Sequence, residues 1–184
     1  PFRGRVHAVE HHLAHLSSAF HASPFAEAAV VSVDGFGDFA SAAWGVGRDT
    51  AVEICDRVHF PHSLGIFYQA ITQFIGFPNY GDEYKMMGLA PLGAPTHLED
   101  MRRIVLLDDG GGFRLNLDCF RHHREKIEYE WESGSPTVGA LYSARLAELR
   151  PLEHRHLRKL AERRGSRDPK LDEFRWWLEE LRVS

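Results

Sequence analysis

The chain has 184 residues, 43% hydrophobic and 26% charged, which gives one domain with a real core and excludes a disordered tail. Twenty-two basic against 26 acidic residues leave a formal charge of −4, so the bulk composition carries no nucleic-acid footprint and no nucleic-acid partner is expected. No apolar stretch approaches the roughly 20 residues that cross a bilayer, and Cys55 and Cys119 form no CxxC pair, so no membrane contact, no disulfide framework and a cytoplasmic location are expected.

In chain order, Arg5 to Val9 reads as a short strand and His11 to His21 as a helix, with Leu13, Leu16 and Phe20 at three- and four-residue spacing and Ser23-Pro24 ending it. Ala28 to Val33 is a nearly continuous apolar run, the pattern of a strand buried on both faces, and residues 34–38 form the turn after it. Ser41 to Val46 and Ala51 to His59 read as two further strands around a turn at residues 47–49, which makes a three-stranded meander. Ser63 is an N-cap for a core helix from Leu64 to Ile75, with Gly76 ending it. A helix from His97 to Val105, a turn over residues 108–112 and a strand from Phe113 to Leu117 follow. The fold class expected is α/β, a mixed sheet with an antiparallel meander and flanking helices.

Charge divides unevenly. Residues 1–95 hold 5 basic and 9 acidic residues, whereas residues 96–184 hold 17 of each and end in a charged helical tail over 146–184. Pro1 rather than Met opens the chain, so a partial chain is expected, with its chemistry in the first half.

The string HHLAH carries the first chemical signal. On a helix, His11 and His15 project from one face about one turn apart and can share a metal ion, while His12 points elsewhere. A polar face of solvated histidines is the alternative. Asp34 follows an apolar strand, where α/β proteins place ligand-binding carboxylates, and Gly35 and Gly37 let backbone approach a ligand. An ordinary Asx turn is the alternative there. Two imidazoles and a carboxylate suit iron, manganese or zinc alike. In residues 79–93, Asp82, Glu83 and Lys85 stand among glycines and aromatics, a composition for binding ribose and phosphate or simply a solvated helix start. Cys55, Cys119, His59 and His62 read as structural, and the basic run at 154–164 as a solvated helix.

AVEHHLAHLSSAF, VSVDGFGD, SLGIFYQAITQFIGF, GDEYKMMGLAPLG and YEWESGSPTVGALYS, in this order, resemble the O-carbamoyltransferase family of nodulation-factor and antibiotic biosynthesis across residues 5–145. The resemblance implies that residues 1–145 are part of an actin-like ATPase (ribonuclease H-like) domain, with His11, His15 and Asp34 as ligands of a divalent metal, usually iron. It implies ATP and carbamoyl phosphate as substrates, carbamoyladenylate formed in a second domain of the same full-length protein, and transfer to the hydroxyl of a small-molecule acceptor. Glu83 and Lys85 would then lie near the nucleotide. The family's phosphate loop, a fourth metal ligand and the adenylate-forming domain do not occur in this chain, so the fragment alone is expected to be inactive. Two other readings share the HHLAH string: a hydrogenase-maturation or tRNA threonylcarbamoyl transferase relative, and a non-catalytic metal-binding remnant.

Overall fold

A computed structural model describes residues 3–131 and 136–147. The expected tail is outside the described residues from 148 onward, and with it the basic run at 154–164.

Helix α1 (His11–His21) opens the ordered structure, with His12, Leu16 and Phe20 as its buried residues at four-residue spacing. Strands β1 (Glu27–Gly37), β2 (Ala40–Arg48) and β3 (Ala51–His59) form an antiparallel sheet in the order β1-β2-β3, which is the expected meander. Leu16 and Phe20 pack on one face of it against Val30 and Ala43, flanked by Ala28, Val52 and Ile54.

Four expectations need correction here. Residues 5–9 are not a strand: among the described residues no strand pairs with them, and Val6 and Val9 are exposed. β1 is not buried on both faces; Val30 and Ser32 point into the packed side while Val31 and Val33 are 68% and 54% exposed. Among the described residues only α1's face of the strand is covered, so the period-2 alternation shows through an apolar sequence. The turn also comes later than residues 34–38. β1 continues through Asp34 to Gly37, and a two-residue loop at Asp38 and Phe39, with φ of 50° and 65°, closes the hairpin. The β2–β3 turn likewise falls at residues 49–50 rather than 47–49.

Helix α2 (Leu64–Phe74) starts at Ser63, whose hydroxyl accepts from Ile66 N–H. Its buried residues are Ala70, Thr72 and Gln73, so the aromatic run is half-covered core and the buried joint is largely polar. The Gln73 amide donates to the Val138 carbonyl at 3.0 Å and accepts from Leu141 N–H at 3.0 Å. Helices α3 (Glu83–Leu89) and α4 (Leu98–Ile104) follow, then the hairpin of β4 (Val105–Leu107) and β5 (Phe113–Leu115). His62 has the structural role expected of it, its Nδ1 accepting from Leu115 N–H at 3.1 Å. Strands β6 (Tyr129–Glu130) and β7 (Thr137–Val138) pair, and α5 (Ala144–Ala147) ends the described chain. No helix among the described residues is long and apolar enough to cross a membrane.

Phe20→Ala removes a ring that is 3% exposed in this core and is expected to lower unfolding free energy by about 3–5 kcal/mol, read from urea denaturation. His122 supplies a pH test. Burial pushes its pKa below 6.5, the hydrogen bond from its Nε2–H to the Pro61 carbonyl pulls it back, and His123 and His62 add to the depression. The unfolded chain therefore binds the proton more readily, so stability falls as pH drops below 6.5 and flattens once the depressed native pKa is passed. Replacing His122 with Phe should shrink that acid slope in denaturation curves taken from pH 7.5 to 5.

Candidate metal centre

β1 and α1 face each other with matched spacing. Ser32 and Asp34, two apart on the strand, lie on α1's side of the sheet. The lower contact is between His12, fully buried, and Ser32, with Nδ1 to Oγ at 2.9 Å. His12 thus turns inward, away from the His11 and His15 face. The upper contact is the candidate centre. His11 Nε2 is 2.7 Å from Asp34 Oδ2, His15 Nε2 is 3.5 Å from the same oxygen, and the two imidazole nitrogens are 3.1 Å apart.

The facing imidazoles suit an ion, while the 2.7 Å contact of His11 with Asp34 is a hydrogen-bond distance. Two Nε2 atoms facing each other can share one proton at most, whereas ligands held at about 2.1 Å from one metal stand about 3.0–3.4 Å apart. The three donor atoms all lie within 4.8 Å of one another, and no other such group occurs among the described residues. Asp34 is ready to coordinate as a carboxylate. The His11 hydrogen bond holds its pKa below 3.8 against partial burial, helped by Gly35 N–H and by the two histidines.

The local fold explains how Asp34 gets there. The β1–β2 register slips after Val33, so residues 34–36 face a single residue of β2 and leave the ladder. Two freed carbonyls, those of Asp34 and Gly35, accept from the fully buried Ser63 hydroxyl at 3.1 and 2.7 Å. The helix can sit so close only because residue 65 is glycine: a Cβ there would be 2.8 Å from the Asp34 carbonyl oxygen. Ser63, read from sequence as a cap alone, is therefore also the anchor of the ligand strand. A Ser-Leu-Gly string at a helix start is too common a signal to have announced that.

Of the remaining residues singled out in the sequence, Gly35 and Gly37 adjoin this trio and Glu83 and Lys85 do not. Gly35 faces open space, as a ligand-facing glycine should, but a Cβ on Gly37 would strike the His11 ring. Glu83 opens α3, and its charge, after burial, raises the Tyr68 pKa. Lys85 lies over the Phe77 and Tyr84 rings and its ammonium is 2.6 Å from the buried Asp82 carboxylate. Neither Glu83 nor Lys85 shares a hydrogen bond or ion pair with the trio.

Comparison with known proteins follows the same residues. A family model described as the carbamoyltransferase N-terminus matches residues 1–131. The chain belongs to that family. It is 42% identical over 114 residues to an uncharacterized protein of Synechocystis, covering 61% of this chain and 18% of the relative. It is 40% identical over 115 residues to the nodulation protein NolNO of Sinorhizobium fredii, covering 62% and 17%, and 41% identical over 113 residues to the nodulation protein NolO of Bradyrhizobium diazoefficiens, covering 60% and 20%. The chain thus matches these relatives over about a fifth of their length or less.

Ser63→Ala removes both the helix cap and the donor for two partly buried carbonyls. It is expected to destabilise the chain by about 2–4 kcal/mol in urea denaturation, with far-UV circular dichroism unchanged under native conditions.

Proposed function

We propose that this chain is the metal-holding part of an enzyme that transfers a carbamoyl group from carbamoyladenylate to the hydroxyl of a small-molecule acceptor. The observation that carries it is the convergence of His11, His15 and Asp34 on one point in a chain of the carbamoyltransferase family. In this reading the meander and its helices form part of an actin-like ATPase (ribonuclease H-like) domain. Carbamoyladenylate comes from carbamoyl phosphate and ATP in a second domain of a longer protein, consistent with relatives about five times the matched length.

Bound divalent metal, iron by family resemblance, supplies Lewis-acid polarisation of a carbonyl or a fixed place for the adenylate phosphate. The chain's own residues do the rest. The imidazoles of His11 and His15 and the carboxylate of Asp34 offer three ligand atoms and leave the solvent side of the trio open, with His15 and Asp34 only partly covered. Gly35, with free space beside it, admits a ligand next to Asp34. In the transfer the acceptor oxygen bonds to the carbamoyl carbon as the bond from that carbon to the phosphate oxygen breaks, releasing AMP and one proton. The adenylate is already an activated donor, so no protein nucleophile is needed. Glu83 and Lys85 stand on the nucleotide side of this reading. Lys85 would reach a phosphate by sharing its ammonium between that phosphate and Asp82.

Elemental analysis of the chain purified anaerobically with Fe(II) is expected to find about one metal per chain, absent from the His11→Ala/His15→Ala double variant. In a full-length protein carrying this sequence, His11→Ala should lower carbamoyl transfer from carbamoyl phosphate and ATP by about 100-fold or more, since lesser changes around metal ligands already cost about 10–100-fold. Metal retained in full by the double variant, or turnover unchanged by His11→Ala, would overturn the reading.

A further inference from the structure

His11 occupies a position where a metal ligand should be imprecise. It is the first residue of α1, and the first turn of a helix has N–H groups without intrahelical partners, so such ends fray. The three such donors at His11, His12 and Leu13 are nevertheless taken. Glu10 accepts from His12 N–H at 3.2 Å and Leu13 N–H at 2.6 Å through its carboxylate, and its carbonyl takes Ala14 N–H at 2.9 Å. The remaining donor, His11 N–H, goes outside the helix to Asp38 Oδ2 at 2.9 Å. Asp38 is 27 residues away in sequence, and its φ of 50° is part of the hairpin loop that follows the Asp34 bulge.

The His11 side chain is confined by the same segment. A Cβ on Gly37 would lie 2.0 Å from Cδ2, 2.1 Å from Cγ and 2.4 Å from Nε2 of the imidazole, well inside contact distance. The ring therefore rests on the Gly37 backbone, and its Nε2 meets Asp34 at 2.7 Å. Three residues within five positions hold His11 by three different means: a carboxylate on the ring, a missing side chain beneath it, and a carboxylate on its backbone N–H.

We propose that Gly37 and Asp38 are positioning residues for His11, Gly37 as the seat of the imidazole and Asp38 as the anchor of the helix end that carries it. This rests on the metal reading of the His11, His15 and Asp34 trio. It gives Gly37 a task distinct from contact with a cofactor, and it makes the DGFGD string one ligand with two supports.

The test uses the 184-residue chain titrated with Co(II), with affinity and the visible ligand-field spectrum as readouts and thermal melting as a control for folding. Gly37→Ala is expected to bind Co(II) at least about 10-fold more weakly with a changed spectrum, the range seen when residues supporting metal ligands are altered. Asp38 is tested by a pair of variants. Asp38→Gly keeps the left-handed backbone but deletes the acceptor, so it should weaken binding by about 10-fold. Asp38→Asn keeps an acceptor oxygen and tolerates the same backbone, so it should stay within about threefold of the wild type. If Gly37→Ala fails to fold, the Asp38 pair decides. Wild-type affinity and spectrum in Gly37→Ala and Asp38→Gly would overturn the assignment alone. A wild-type chain that takes up no Co(II) would overturn the metal reading, and the assignment with it.

Discussion

The slip in register after Val33 is the constraint on which the site depends. Up to that residue β1 is an ordinary meander strand, paired with β2 and packed under α1. Beyond it, three residues leave the ladder, and polar backbone freed in this way must find partners or cost stability. The Ser63 hydroxyl meets two of the freed carbonyls, which fixes the start of α2 against the segment that carries Asp34. One irregularity thus couples the sheet, the second helix and the candidate ligand set.

A second level of order lies in how α1 meets the sheet. His12 with Ser32 is a buried polar contact, and His12 Nε2 has no partner among the described residues, so this face of the helix is held by shape and one hydrogen bond as much as by the Leu16 and Phe20 core. Glu10 is the other fixture. Burial alone would raise its pKa, but the Leu13 and His12 N–H groups and the Arg57 guanidinium at 3.7 Å hold it below 4.5, so it stays a charged cap at the positive end of the helix.

Much of this was legible in the sequence because it depends on short-range periodicity. Residues at i and i+4 in HHLAH had to share a face, which separated His11 and His15 from His12. The meander followed from an apolar run and two further strand-like segments around a turn, and Ser63 and Gly76 bracketed α2 within a residue of its observed ends. What failed depended on partners that a sequence does not display. Residues 5–9 have strand composition but no pairing strand among the described residues, and the apolar 28–33 run concealed the fact that only one of its faces is covered. The role of Gly37 was equally hidden, since a glycine after a strand looks the same whether it faces a ligand or a neighbouring imidazole.

The stretch from Asp34 to Asp38 works as a ruler. Its first residue must reach the histidines, its fourth must lie under one of them, and its fifth must meet the start of α1 while turning the chain into β2. All three groups meet His11 from a segment whose first part has left the ladder, so adding or removing a single residue between them would take them out of register with that one histidine. Changes of residue type within the segment can be graded in effect, but a change in its length is all or none.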